Sequence, residues 1–497
     1  MPLFYLSNIY SQNLFFEGDE NSKNKNEIVA QVGTLNITSE EFIYSYEFGP
    51  AFPKRKENSK LIHLNYMINE KLLALDGYEK GIMEKESAEE IYKDIESDLA
   101  AEEMFQKEIV PGINITDAEI EKVIEKKQRE YQIKWLYAKD IQQLENYVKS
   151  LKGGVSFDSL FNYQLNDSVL IDDRQLTSSL YNIYVKNPQF AQIIDTLNPG
   201  KISDPIHTDD GWYIIKIDNI WKNLITSESE FNKLKSESVN AITKSKMDVL
   251  SDQYVKKLFS EENPIIKRDV FNVLRSYLGK FIITPEKYTE WDLDHKLDIA
   301  LNDLGLKRGE QYPGLTLVEI KDSKITLDEF IIWYRNREQY IKLLKNDLIE
   351  FSKSLEDLVW LMVRDKLLTK KAIEKEYDKA EWVKKQSGWW RDKIAYSSYR
   401  NELANSITLN SEEISLINEK KKSQSEILSK ELSKKILYKI LELKKKYKVT
   451  INEDLLGKIK VSSENDKKAI DMYIVKRGNL IPRPAFPSID IDWASWE

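Results

Sequence analysis

An internal repeat constrains this fold more than any other feature of the sequence. NITSEEFIYSY at 36–46 matches KITLDEFIIWY at 324–334, and both carry a threonine three residues before a glutamate, the capping box that opens a helix. The matches keep their order along the chain at offsets between 288 and 295 residues. The sequence therefore predicts two copies of one helical unit. The further matching pairs are MINEKLLALDGYEKGI (67–82) with MVRDKLLTKKAIEKEY (362–377), and NITDAEIEKVIEKK (114–127) with TLNSEEISLINEKK (408–421).

The two copies differ in what precedes a final helix and strand. YVKKLFSEENPIIKRDVF at 254–271 resembles LELKKKYKVTINEDLL at 441–456, and each is expected to be a helix that ends in a short strand. In the first copy, residues 131–222 separate this final helix and strand from the rest of the unit. In the second copy, only a short helical link separates them. The first copy therefore carries an inserted domain, and the second has none.

The insert has the pattern of a small α+β domain. It opens with a strand, YQIKWLYAK, followed by a helix, DIQQLENYVKSLKGG, whose apolar residues recur at helical spacing. A second short helix, a loop and a third helix lead to GKISDPIHTDDGWYIIKID at 200–218, which predicts a β-hairpin turning at Asp210-Gly211. The order β-α-α-α-β-β indicates a domain of about ninety residues.

Composition excludes several classes of function. The 497 residues contain no cysteine, which excludes disulfides, thiolate metal sites and cysteine nucleophiles. The 74 basic and 82 acidic residues are interspersed, so no charge field favours nucleic acid. Phosphate-binding glycine loops, the GxSxG nucleophile motif and paired histidine ligands do not occur. We therefore predict no cofactor, no metal site, no nucleotide and no nucleic-acid partner.

The sequence predicts no membrane-spanning helix, because no apolar run reaches the ~18 residues that one needs. The opening MPLFYLSNIYSQNLFF is apolar, but it lacks a positively charged start and a clear cleavage site, so it is a poor signal peptide. We expect residues 1–26 to be an N-terminal remnant and linker.

The insert resembles a parvulin-type, PpiC-like peptidyl-prolyl isomerase domain. The residues that carry the resemblance are GGVSFDSLF and NPQFAQIIDTLNPGKISDPIHTDDGWYIIKI. The flanking units resemble the helical module of SurA-like and PpiD-like periplasmic chaperones, in which I-T-x-x-E-F opens the first helix. The resemblance implies an α+β protein with two mostly helical modules and one inserted parvulin-like domain.

This organisation predicts seven segments along the chain. They are an N-terminal remnant and linker (1–26), helical module 1 (27–130), the parvulin-like domain (131–222), the return helix and strand of module 1 (223–275), a linker (276–312), helical module 2 without an insert (313–460), and an extended C-terminal tail (461–497).

The resemblance also locates a degenerate catalytic cradle. Parvulins place one histidine in the first strand and one after Gly-Tyr in the last, and these positions fall on Trp135 and Tyr213, expected across the sheet from each other. Ser168 aligns with a polar residue between them, and Leu176 and Phe190 align with the proline pocket. The resemblance therefore implies a scaffold whose activity is lost or very weak. The alternative is that the two aromatic residues fill a core without a cavity.

A second group of aromatic residues lies in EWVKKQSGWWRDKIAYSSYR, around Trp389 and Trp390. The favoured interpretation is a helix packed on its neighbours. The alternative is a partly exposed aromatic surface that binds extended peptides, since tryptophan and tyrosine offer large, sequence-tolerant contact areas.

These observations predict an ATP-independent chaperone of the periplasm or cell envelope that binds unfolded outer-membrane or secreted polypeptides. The resemblance supplies the compartment and the client class, and a peripheral membrane association is compatible with it. Two alternatives stay open. One is an active prolyl isomerase with an atypical site, and the other is a structural component with one fixed partner.

Overall fold

The computed structural model describes residues 24–166, 168–208, 210–309, 312, 314–338, 341–419, 423–462 and 486–496. The chain divides into two compact units. We name residues 113–247 the inserted unit, and the described parts of 1–112 and 248–497 the helical unit. The α+β class expected from the sequence is confirmed.

The described residues form α-helices and three antiparallel sheets, numbered along the chain. The helices are α1 Ser39–Glu47, α2 Ser59–Glu79, α3 Glu86–Glu108, α4 Asp117–Gln128, α5 Ile141–Lys152, α6 Phe157–Gln164, α7 Leu180–Lys186, α8 Pro188–Thr196, α9 Glu228–Glu262, α10 Arg268–Ile282, α11 Pro285–Glu290, α12 Leu293–Asp303, α13 Leu327–Arg335, α14 Leu348–Glu374, α15 Glu381–Asn405, α16 Ser411–Asn418, α17 Gln424–Lys446 and α18 Glu453–Lys458. The strands are β1 Ile28–Val32, β2 Leu35–Thr38, β3 Arg129–Ala138, β4 Gln175–Ser179, β5 Ile206–Thr208, β6 Gly211–Lys222, β7 Ile265–Ile266, β8 Thr316–Ile320, β9 Ser323–Thr326 and β10 Val449–Ile451.

The inserted unit is built on a four-stranded sheet in the order β4-β3-β6-β5. One face packs against α7 and α8, and the other against α5 and α6. Side chains alternate between the faces, so Ile215 joins the first core and Ile214 the second. Asp140 caps the start of helix α5: its carboxylate accepts the Gln143 N–H at 2.9 Å.

The sequence missed one strand and one helix of this unit. The expected order β-α-α-α-β-β becomes β-α-α-β-α-α-β-β, because β4 and α7 occupy the stretch assigned to a loop. Strand β4 is the edge strand QLTSS, whose one apolar residue is Leu176. It therefore has no apolar alternation for a sequence pattern to detect.

In the helical unit, the last strand of each half pairs with the other half. Strand β10 lies beside β1 in the sheet β10-β1-β2, and β7 lies beside β8 in the sheet β7-β8-β9. This pairing corrects the assignment of 223–275 to module 1, because the strand of that segment completes the sheet of 316–326. The sequences of the two return strands do not specify a partner, since both are short and apolar.

Two apolar cores follow the same exchange. The first combines β1, β2, α1 and α2 with α15, α17 and residues near the C-terminus. The second combines the end of α3 and α9 with α10, α12, α13 and α14. Each core therefore draws on segments far apart in the sequence.

Two segments predicted to lie outside the cores are part of them. Residues 276–312 are not a linker: Leu278, Leu293 and Leu301 are buried, because the helices there carry apolar faces. The described end of the tail, 486–496, is not a free extended segment, since its aromatic side chains are buried in the first core. Residues 1–23 and 463–485 lie outside the described residues.

A buried ion cluster joins three helices of the first core. The Lys71 ammonium on α2 lies 2.6 Å from Glu41 on α1 and 2.6 Å from Asp392 on α15. Burial favours the neutral amine, but the two carboxylates outweigh it and raise the pKa of Lys71 above its usual value. Removing one partner of such a buried cluster typically costs about 3–5 kcal/mol.

Across the described part of the chain, no helix combines the length and the apolar character that crossing a bilayer would require.

Cysteine pairs test the strand exchange, because the natural chain contains no cysteine. Gln31 pairs with Thr450, and Ile265 pairs with Glu319. Opposed Cα atoms in antiparallel strands lie roughly 4.5–5.5 Å apart, within the range of a disulfide. We expect Gln31→Cys/Thr450→Cys and Ile265→Cys/Glu319→Cys to oxidise, and Gln31→Cys/Ile265→Cys to keep both thiols in a free-thiol titration. A disulfide in the third variant and none in the first two would contradict the exchange.

Candidate functional site

Four of the residues predicted for the cradle meet on one face of the inserted unit. Trp135 on β3, Leu176 on β4, Phe190 on α8 and Tyr213 on β6 are all half-buried. All four pack against the core formed around Ile133, Leu180 and Ile215, among others. The fold therefore gathers the side chains that the resemblance selected.

The strand register corrects the expected geometry of this face. Tyr213 lies opposite Tyr137, and Trp135 lies opposite Ile215. Trp135 and Tyr137 are two positions apart on β3, so they point to the same side. Trp135 and Tyr213 consequently share the face without being cross-strand partners, and the sequence missed Tyr137 as a member of the site.

A hydrogen-bonded cluster holds the Tyr213 side chain at the hairpin turn. Its hydroxyl donates to Asp210 Oδ2 at 2.6 Å, and the Thr208 hydroxyl donates to Asp210 Oδ1 at 2.5 Å. The Tyr137 hydroxyl donates to the Asp210 carbonyl at 2.5 Å. The rings of Phe190 and Tyr137 lie 5.0 Å and 5.3 Å from the Tyr213 ring, in edge-to-face geometry.

This cluster fixes the protonation of both partners. Burial and the hydrogen bond to Asp210 raise the pKa of the Tyr213 phenol above its usual value. Hydrogen bonds from Thr208 and Tyr213 lower the pKa of the Asp210 carboxyl. Near neutral pH the phenol is therefore a neutral donor already engaged by an ionised carboxylate, and neither group is poised to exchange a proton.

No histidine can replace the missing pair within this unit. His207 is the one histidine of residues 113–247 in the sequence. It is exposed, lies opposite Trp212 in the β5–β6 ladder, and its ring centroid is 4.5 Å from that indole. Trp212 belongs to the other face of the sheet, so the imidazole does not lie on the face of Tyr213.

Gly211 closes the hairpin in a conformation that excludes a side chain. Its φ is +147°, in the region that L-residues avoid. A Cβ there would lie 2.7 Å from the Ala138 carbonyl oxygen and 2.8 Å from Tyr137 Cε2. The glycine thus permits the close approach of β6 and β3 that places Tyr137 against the turn.

Ser168 lies exposed in a tight turn, where its N–H donates to Asn166 Oδ1 at 2.8 Å. The role assigned to it from the resemblance stays a prediction.

The predicted peptide-binding tryptophans of α15 are interior residues. Trp389 and Trp390 are each 7% exposed. Trp389 packs in the first core of the helical unit, with its ring 5.9 Å from that of Trp382. Trp390 packs against Leu99 and Val383. The alternative of an exposed aromatic surface at these two residues is therefore wrong, because both side chains are buried against neighbouring elements.

Within the described ranges, no group of three or more histidine, aspartate or glutamate side chains is arranged to hold a metal ion.

Comparison with known proteins agrees with this geometry. Residues 139–219 match the family model described as "Rotamase: PPIC-type PPIASE domain". The inserted unit is a parvulin-type domain. The sequence-based recognition of a parvulin-type, PpiC-like domain in the insert is confirmed.

Proteins similar to this chain include a curated protein and solved structures. "Foldase protein PrsA" of Oceanobacillus iheyensis is 22% identical over 236 residues, which span 45% of this chain and 77% of that protein. The crystal structure of PrsA from Bacillus subtilis is 19% identical, covers 46% of this chain and 93% of its own, and has a TM-score of 0.17. That of foldase protein PrsA from Streptococcus pneumoniae is 13% identical, covers 56% and 94%, and has a TM-score of 0.23.

Alanine substitutions test the role of the hairpin glycine in the parvulin-type domain. Gly211→Ala is expected to destabilise strand β6 more than Gly200→Ala does, because Gly200 also has a positive φ but has open space around its Cβ position. We expect Gly200→Ala to lower stability by about 1–2 kcal/mol, because alanine disfavours the left-handed backbone there. The loss of stability at Gly211 should be larger. Hydrogen exchange of β6 amides in the full chain measures both. Equal losses of protection would contradict the steric role of Gly211.

Proposed function

We propose that this protein holds unfolded or extended polypeptides without ATP and does not accelerate prolyl isomerisation. The proposal is supported by the side chains found where the resemblance to parvulins places the two cradle histidines. Trp135 and Tyr213 stand at those positions, packed on the domain core, and the Tyr213 hydroxyl is bound to Asp210 at 2.6 Å.

Loss of isomerisation follows from the demands of the reaction. Rotation about the peptide bond has a barrier of ~18–20 kcal/mol. A catalyst must bind the twisted form more tightly than either planar form. Here the Trp135 indole and the Tyr213 phenol stand where the resembling family has two imidazoles, and the phenol is already hydrogen-bonded to Asp210. The face therefore keeps its aromatic surface but lacks two imidazole groups that could hydrogen-bond the twisted peptide.

Retention of peptide binding is supported by the same face. The resemblance assigns Leu176 and Phe190 to the proline pocket. Both pack on the same core as Tyr213, and the Phe190 ring lies 5.0 Å from the Tyr213 ring. Aromatic and leucine side chains bind apolar residues with little dependence on sequence. A protein named a foldase is among the relatives, which supports polypeptides as the clients.

The compartment belongs to the proposal as well. The absence of cysteine suits an oxidising envelope space, where a free thiol is a liability. The resemblance of the flanking modules to SurA-like and PpiD-like chaperones supports outer-membrane or secreted clients, with or without peripheral membrane association. No nucleotide-binding motif accompanies these modules, which supports holding that is independent of ATP.

A proline-peptide isomerisation assay tests the catalytic half of the proposal. The protein is expected to leave the isomerisation rate of the peptide at its uncatalysed value. Trp135→His/Tyr213→His is expected to raise it, because the scaffold and the proline pocket are kept. Trp212→His, on the opposite face, is the matched control and should stay at background. Acceleration by the natural protein that disappears in Tyr213→Phe would establish an atypical isomerase instead.

A further inference from the structure

The C-terminal segment 486–496, here named the docking segment, lies in a groove of the helical unit. Its first anchor is Phe486, whose ring stacks on Tyr44 at 4.1 Å and lies 4.7 Å from the ring of Phe48. The Trp382 ring lies 6.2 Å away, edge to face. Three aromatic side chains from α1, its C-terminal end and α15 thus form a pocket for one ring.

The second anchor combines an aromatic ring with main-chain recognition. The indole of Trp493 stacks on Tyr66 at 5.4 Å and donates from Nε1 to Glu70 Oε1 at 3.0 Å. The same oxygen accepts the N–H of Asp490 at 2.7 Å. Lys393 lies 2.7 Å from the other Glu70 oxygen and balances its charge. Glu70 therefore binds both the main chain and a side chain of the docking segment, through the Asp490 N–H and the Trp493 indole N–H.

The acidic residues of the docking segment, Asp490 and Asp492, lie beside Arg400 on α15. Arg400 forms ion pairs with Asp490, at 3.6 Å, and with Asp492. The Tyr396 hydroxyl donates to Asp490 Oδ2 at 3.2 Å. The Arg400 guanidinium also lies over the Trp496 ring, 5.2 Å from its centroid. The groove thus contacts a segment in which aromatic residues flank a pair of carboxylates.

The segment is held by side chains rather than by secondary structure. Within 486–496 the structure shows one 3-10 turn, Ile491–Ser495, and no strand pairing. The fit is incomplete: a cavity of about 30 Å³ remains beside Pro487 and Ser488, and the buried Trp496 Nε1 has no hydrogen-bond partner among the described residues. The attachment of the segment therefore depends on the buried side chains of Phe486, Trp493 and Trp496 and not on a network of main-chain hydrogen bonds.

We propose that this groove is a receptor for extended client segments in which aromatic residues flank a pair of carboxylates, and that the docking segment occupies it as a competitor within the same chain. The inference rests on the proposed holding function. Without an occupant the pocket of Tyr44, Phe48 and Trp382 would expose apolar surface of the kind that promotes aggregation. A resident segment covers that surface and gives way to a client of the same chemistry.

A labelled peptide, FPSIDIDWASW, which copies residues 486–496, probes the groove by fluorescence anisotropy on the full-length protein. Phe486→Ala/Trp493→Ala releases the resident segment and is expected to bind the peptide at least tenfold more tightly than the natural chain. Ile491→Ala is the matched control, because that side chain is 63% exposed, and it should behave like the natural chain. Adding Arg400→Glu to the released variant should weaken binding at least tenfold.

Two results of this titration would overturn the proposal. One is equal peptide affinity in the natural chain and the released variant. The other is loss of cooperative thermal unfolding in the released variant, since the segment would then be a permanent part of the core.

Competition with a reduced, unfolded client protein separates this inference from the proposed function. We expect the peptide to displace such a client from the released variant. Holding that persists without displacement by the peptide would overturn the receptor role alone. Peptide binding by a chain that holds no unfolded client would overturn the proposed function, and the client role of the groove with it.

Discussion

The exchange of short strands between the two halves of the helical unit is the constraint on which the rest of the structure depends. Strand β10 completes the sheet of β1 and β2, and β7 completes the sheet of β8 and β9. Strands β1 and β10 come from opposite ends of the sequence of the helical unit, so the first core is complete only when residues up to 496 have been made, whereas the second core draws on residues 100–372. The inserted unit interrupts the helical unit between 112 and 248 and folds around its own sheet.

We propose that the sheet of the inserted unit keeps the parvulin scaffold, with Trp135 and Tyr213 at the positions where the resembling family has histidines. The hairpin geometry at Gly211, the proline-pocket positions Leu176 and Phe190, and the packing of both sheet faces are all in place. The changed positions, Trp135 and Tyr213, are integrated into the core and, for Tyr213, into a hydrogen-bonded turn. Such integration supports binding more readily than it supports catalysis.

Local sequence patterns predicted those elements that depend on residues close together in the chain. The Asp-Gly turn and alternating apolar residues located the hairpin of 200–218, and the Thr-Glu spacing located the start of α13, where the capping box is present. The pairing and packing of segments far apart in the sequence could not be predicted. The two return strands offer no sequence signal for their partners, the polar edge strand β4 lacks alternation, and the contact of Tyr137 with Asp210 spans 73 residues. Burial of Trp389 and Trp390 agrees with the favoured interpretation of a packed helix, but the local sequence does not specify which elements cover them.

Refolding of a client whose slow phase is limited by prolyl isomerisation tests the central claim, holding without isomerisation, in one experiment. Such phases last tens of seconds at 25 °C and are resolved by manual mixing. With the full-length protein present, the account predicts less light scattering from aggregated client and an unchanged rate constant for the slow phase. An accelerated slow phase, or aggregation equal to that of the client alone, would contradict it.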